Sequence, residues 1–180
     1  MQRNLQTTNT LIGNYSFAAD RFNQPENAVY FNNTFVYLEN FDLIYLENYT
    51  IEFWVNFKSV NRNVPLLYLI ATDTYNKTAD TFIGLDGEMS LIVQVDGDII
   101  TKVDRPFNIS KWHHLTFTLG RNLSVYIDGI LRVSEPVPEL RVKLKCIGCY
   151  DKPFEGNFNA VIDELYIDGD IDSNRFFLSK

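Results

Sequence analysis

The chain of 180 residues carries 23 acidic against 16 basic side chains, a net charge of −7. It has no Lys or Arg cluster of the kind that neutralises phosphates, which argues against nucleic acid as a partner. No apolar run approaches the roughly 18 residues needed to cross a bilayer, and residues 1–10 are polar, so neither membrane insertion nor a signal peptide is expected in this chain. The length suits one domain, and 14 Phe with 10 Tyr, beside many Val and Ile, favour sheet over helix.

Residues 1–12 lack both the helical and the strand period and read as an N-terminal arm, leaving 13–180 as a single domain. A short strand over 13–19 and a loop over 20–27 follow. Ala28-Val29-Tyr30-Phe31 and Phe35-Val36-Tyr37-Leu38 bracket Asn32-Asn33, which predicts a hairpin there. Over 50–57, Ile51, Phe53, Val55 and Phe57 alternate with Thr50, Glu52, Trp54 and Asn56, so a one-residue slip would exchange the two faces. Trp54 beside Glu52 reads either as a sugar platform with a polar partner or as an aromatic filling the second layer of a sandwich.

Strands are expected at 64–73, 81–85, 89–95 and 99–103, with Asp86-Gly87 and Asp96-Gly97 as tight hairpin turns. The polar loops 61–63 and 75–80 are where a binding module would carry variable contacts, which makes Tyr75 and Asn76 candidate ligand residues with Trp54 and Glu52. Next, His113, Leu115, Phe117 and Leu119 alternate with Trp112, His114, Thr116 and Thr118. After a break at 120–122, Leu123, Val125 and Ile127 alternate with Ser124 and Tyr126 as far as Asp128-Gly129. Three consecutive antiparallel strands follow from this pattern. His113 and His114, adjacent on a strand, face opposite ways, which speaks against a shared metal. A strand over 141–149 holds Cys146 and Cys149; three extended residues span about 10 Å against a Cα limit of about 7 Å for a disulfide, so both are expected as unpaired packing thiols. A last strand at 160–168 and a helical turn within 171–178 complete the chain.

Trp-His-His-Leu at 112–115 followed by Val-Tyr-Ile-Asp-Gly at 125–129 resembles the central block of a laminin-G-like domain in the concanavalin A-like superfamily. Asp-Arg-Phe-x-x-Pro-x-x-Ala-x-x-Phe from Asp20, Tyr-Thr-Ile-Glu-Phe-Trp-Val from Tyr49, and Phe-x-Gly with Val-Ile-Asp-Glu-Leu-Tyr-Ile near the C-terminus are similar to other blocks of that family. The resemblance implies an all-β fold, an antiparallel jelly-roll β-sandwich of two packed sheets. It implies a non-catalytic recognition or adhesion module that binds glycan or protein at a cell or particle surface. It also implies a Ca²⁺ ion held with the help of Asp163, since hard oxygen ligands suit calcium; the alternative is that Asp163 caps a turn.

The laminarinase-type glycosidases of that superfamily carry Glu-x-Asp-x-x-Glu on one strand, a pattern this chain lacks. Asp163 and Glu164 are adjacent and expected to diverge across the sheet, so no catalytic residue and no enzyme is expected. Six Asn-x-Ser/Thr sequons, at Asn14, Asn32, Asn48, Asn76, Asn108 and Asn122, suggest either a glycoprotein that is extracellular or surface-exposed or an Asn-rich sequence in which sequons are a by-product. The alternative is a structural subunit of an assembled layer such as a virion, with residues 1–12 docking on neighbouring subunits.

Overall fold

A computed structural model describes residues 10–37, 49–59, 64–72, 78–120, 122–136, 141–149 and 158–169. Tyr75, Asn76, Asn48, the Phe-x-Gly segment and the expected helical turn at 171–178 lie outside the described residues. In chain order the strands are β1 (Thr10–Ala18), β2 (Ala28–Tyr37), β3 (Tyr49–Phe57), β4 (Val64–Thr72), β5 (Thr78–Leu85), β6 (Leu91–Val95), β7 (Asp98–Val103), β8 (Trp112–Leu119), β9 (Asn122–Ile127), β10 (Ile130–Pro136), β11 (Arg141–Ile147) and β12 (Asn159–Gly169). They make two antiparallel sheets, a larger one of seven strands ordered β10-β9-β8-β3-β12-β2-β1 and a smaller one of five ordered β11-β4-β5-β6-β7. This is the expected jelly-roll sandwich.

The alternating sequences put one apolar row per strand between the sheets. Ile51, Phe53, Val55 and Phe57 of β3, Leu115 and Phe117 of β8, and Leu123, Val125 and Ile127 of β9 share one core with Leu67, Ile83, Leu85, Leu91 and Val93 of the smaller sheet. Burying one such side chain is worth about 1.5–3 kcal/mol. The core therefore fixes the register of β3 on β8, in which Trp54 stands opposite His114 and Glu52 opposite Thr116.

Several expectations are corrected. Residues 10–12, expected in the arm, belong to β1, which pairs along the whole of β2; residues 1–9 lie outside the described residues. Asn32-Asn33 is not a hairpin. It is a bulge within one long strand, with Asn33 at φ 53 and its N–H donating to Phe158 O at 3.0 Å. Before the bulge β2 pairs with β12; after it, Val36 and Tyr37 pair with Ile147 and Cys146 of β11. A strand that changes sheets through a bulge makes a corner of the sandwich. Asp96-Gly97 and Asp128-Gly129 have positive φ at both residues, as two-residue hairpin turns require. Asp86-Gly87 instead begins a wider loop closed by Asp86 N–H to Ser90 O at 2.9 Å, and β5 starts at Thr78 within the segment expected to be loop.

The cysteines are joined. β11 stops at Ile147, and Gly148 at φ 80 turns the chain so that the Cα atoms of Cys146 and Cys149 lie 5.9 Å apart in a disulfide. The extended geometry that excluded this pairing ends one residue too early to hold.

Candidate functional site

The outward-facing positions of the larger sheet carry the polar chemistry. Pairing registers place Tyr166, Glu52, Thr116, Tyr126 and Leu131 in one row across β12, β3, β8, β9 and β10. A parallel row runs through Asp163, Trp54 and His114. At about 4.8 Å per strand, the two tyrosines stand about 14 Å apart, with Glu52 and Thr116 between them. All four residues of that span are half-buried.

The second row is closed by the loop after β1. Asp20 shapes that loop: its Oδ1 accepts the N–H groups of Phe22 and Gln24, both at 2.8 Å, and its Oδ2 accepts Asn27 Nδ2 at 3.3 Å. Burial alone would raise the Asp20 carboxyl, but these hydrogen bonds and the neighbouring Arg21 hold it below the ordinary value. Arg21 is thereby thrown across the sheet. Its Nη1 meets Asp163 Oδ2 and its Nη2 meets Glu164 Oε2, each at 2.8 Å. The guanidinium carbon lies 4.3 Å from the Phe22 ring centroid and 5.0 Å from that of Trp54, whose ring packs 4.9 Å from His114.

This arrangement corrects the expectation that Asp163 and Glu164 diverge. Register breaks between Asp163 and Tyr166, and Glu164 sits at φ 49, the signature of a bulge. The extra residue brings both carboxylates to one guanidinium and returns Leu165 to the core. Burial works against the Arg21 charge, yet the hydrogen bonds to Glu164 and Asp163 outweigh it. Asp163 goes the other way: burial raises its carboxyl despite Arg21. Of the sequence candidates, Trp54, Glu52 and Asp163 thus share one face. Sequence reasoning gave no role to Arg21, Thr116, Tyr126 or Tyr166, although the alternation in β8 and β9 already put Thr116 and Tyr126 beside Trp54's row.

The histidines separate as expected. His114 lies on the outer face, whereas His113 is buried at the core's edge, 5.4 Å from the Phe107 ring. Asn108 N–H donates to His113 Nε2 at 3.0 Å, so the proton sits on Nδ1, which donates to Asp128 Oδ2 at 2.8 Å. Both ring nitrogens are committed, which makes this a structural clasp. Among the sequons, Asn32, Asn108 and Asn122 are exposed, and Asn122 Nδ2 donates to Ser134 Oγ at 3.1 Å; Asn14 lies in β1 opposite Asn32.

The laminin G family model described as the concanavalin A-like lectin/glucanases superfamily matches residues 31–171. The chain belongs to this family, and more particularly to its laminin-G-like members. No curated protein matches it in sequence. Solved structures that share the fold include domain 4 of AbnA, an extracellular arabinanase from Geobacillus stearothermophilus, in complex with arabinotriose (TM-score 0.52, 19% identity, covering 86% of this chain and 75% of that one). Another is the carbohydrate-binding module CBM66 from Bacillus subtilis (TM-score 0.52, 13% identity, 88% and 94% covered). A third is the alginate lyase AlgAT5 from polysaccharide lyase family 7 (TM-score 0.50, 14% identity, 81% and 80% covered). At these identities the likeness is one of fold alone.

Proposed function

We propose that the domain is a non-catalytic carbohydrate-binding module that seats a short oligosaccharide across the outer face of its larger sheet. The observation that carries this reading is the row Tyr166, Glu52, Thr116 and Tyr126. A pyranose offers an apolar C–H face and a rim of hydroxyls. An aromatic ring suits the first, while a carboxylate and a threonine hydroxyl accept from and donate to the second. Support also comes from the fold's occurrence in a carbohydrate-binding module and in a domain that carries arabinotriose.

Binding without turnover is favoured by the state of the carboxylates. A glycosidase needs two, roughly 5 to 9 Å apart and both directed at the substrate, whereas Asp163 and Glu164 are engaged by Arg21, leaving Glu52 alone on the row. An oxidising, extracellular or surface setting is favoured by the Cys146–Cys149 disulfide. Calorimetry with arabino-, gluco- and uronate oligosaccharides selected on a glycan array tests the reading. Tyr126→Ala should weaken the best ligand about tenfold, or about 1.4 kcal/mol, and Tyr166→Ala similarly, with no new reducing ends or unsaturated products. Wild-type affinity in both variants, or product release from the ligand, overturns it.

A further inference from the structure

The family resemblance implies a calcium ion at Asp163, and the residues present do not fit one. Calcium takes six to eight oxygen donors from several directions, whereas among the described residues no three His, Cys, Asp or Glu side chains converge anywhere. The only other carboxylate described beside Asp163 is Glu164, and both are 2.8 Å from nitrogens of the same guanidinium. A cation placed on this pair would meet Arg21.

We infer that Arg21 is the resident cation of this site: its guanidinium stands where a metal would, and fastens the loop over residues 19–27 onto the sheet without one. Three features make the role specific to arginine. The bulge at Glu164 presents two carboxylates side by side, and the fixed planar fork of a guanidinium aims one nitrogen at each, whereas an ammonium offers only a point charge on a flexible stem. The planar group also lies near the rings of Phe22 and Trp54, 4.3 and 5.0 Å from their centroids, where a cation gains from the π faces. Finally, the loop is shaped for the task, since Asp20 accepts the N–H groups of Phe22 and Gln24, just after Arg21, and so holds the turn that presents it. The result is a fixed wall beside the outer face, with Asp163, 4% exposed, neutralised from within the chain.

The experiment follows melting and calcium binding, and uses no glycan, so its failure and that of the carbohydrate reading are distinguishable. Wild-type protein should melt at the same temperature in EDTA and in millimolar calcium, and give no heat on calcium titration. Arg21→Gln should melt several degrees lower, with Arg21→Lys between the two. The losses in Arg21→Gln and Asp163→Asn should not add in the double variant, since each removes the same pair. Tryptophan emission should shift in Arg21→Gln more than in Arg21→Lys, because the guanidinium lies against Trp54. A wild-type melt that falls in EDTA and rises with calcium overturns the inference even if the variants fail to fold, and so does wild-type stability in Arg21→Gln.

Discussion

Asp128 ties the β9–β10 hairpin to β8 through one carboxylate. Its Oδ2 accepts from His113 and its Oδ1 from the His114 N–H at 2.9 Å, while its own N–H donates to His114 O at 2.8 Å. Burial pushes the Asp128 carboxyl up, but the hydrogen bonds from His113 and the His114 amide outweigh it and hold it below the ordinary 3.8. Asp86, bonded by Lys102 and by the Ser90 and Glu88 amides against the pull of its own burial, is also lowered from 3.8. A carboxylate depressed in the folded state gives stability that is present above its unfolded value and is lost as pH falls through the folded one. Asp163 is raised by burial, so its contribution has the opposite sign: it is full below the unfolded value and is lost as pH rises through the folded one. Urea unfolding across pH should therefore show stability falling as the pH drops below 3.8, with a shallower fall in Asp128→Asn. An acid limb in that variant as steep as wild type would show that the clasp is not what titrates.

At the scale of elements, the sequence is legible wherever the period of two runs unbroken. Register and facing of β3, β8 and β9 follow from alternation alone, because a slip would expose five phenylalanine and leucine side chains, Phe53, Phe57, Leu115, Phe117 and Leu123. It is illegible at three places where one residue leaves the period. Asn33 turns an expected hairpin into a corner, Glu164 folds two diverging carboxylates onto one arginine, and Gly148 closes Cys146 on Cys149. In each the deciding quantity is a positive φ, which the missing Cβ permits at Gly148 and the surroundings enforce at Asn33 and Glu164. For Gly148 this is testable. A Cβ there would lie 3.1 Å from Phe158 Cβ on a backbone at φ 80, so Gly148→Ala should cost about 1–3 kcal/mol and lower Tm by several degrees. An unchanged Tm would mean that the turn relaxes without loss.

For the whole molecule, the sandwich divides its labour between faces. The inner rows of both sheets supply the core, the corner in β2 joins the layers, and the outer face of the larger sheet is left to carry chemistry. One part of that face is taken up by Arg21, Asp163, Glu164, Trp54 and His114, which contact one another. The row from Tyr166 to Tyr126 has the mixture of aromatic surface and hydroxyl partners that suits a sugar. The strands that build it are held by the core, so little ordering is needed on binding. Backbone amide shifts followed by NMR during titration with the best oligosaccharide test this division most directly. The account predicts shifts confined to residues around Glu52, Thr116, Tyr126 and Tyr166, quiet amides over Phe82 to Val95 of the smaller sheet, and an intact ligand at the end. Shifts centred on the smaller sheet, or a ligand cleaved during the titration, would contradict it.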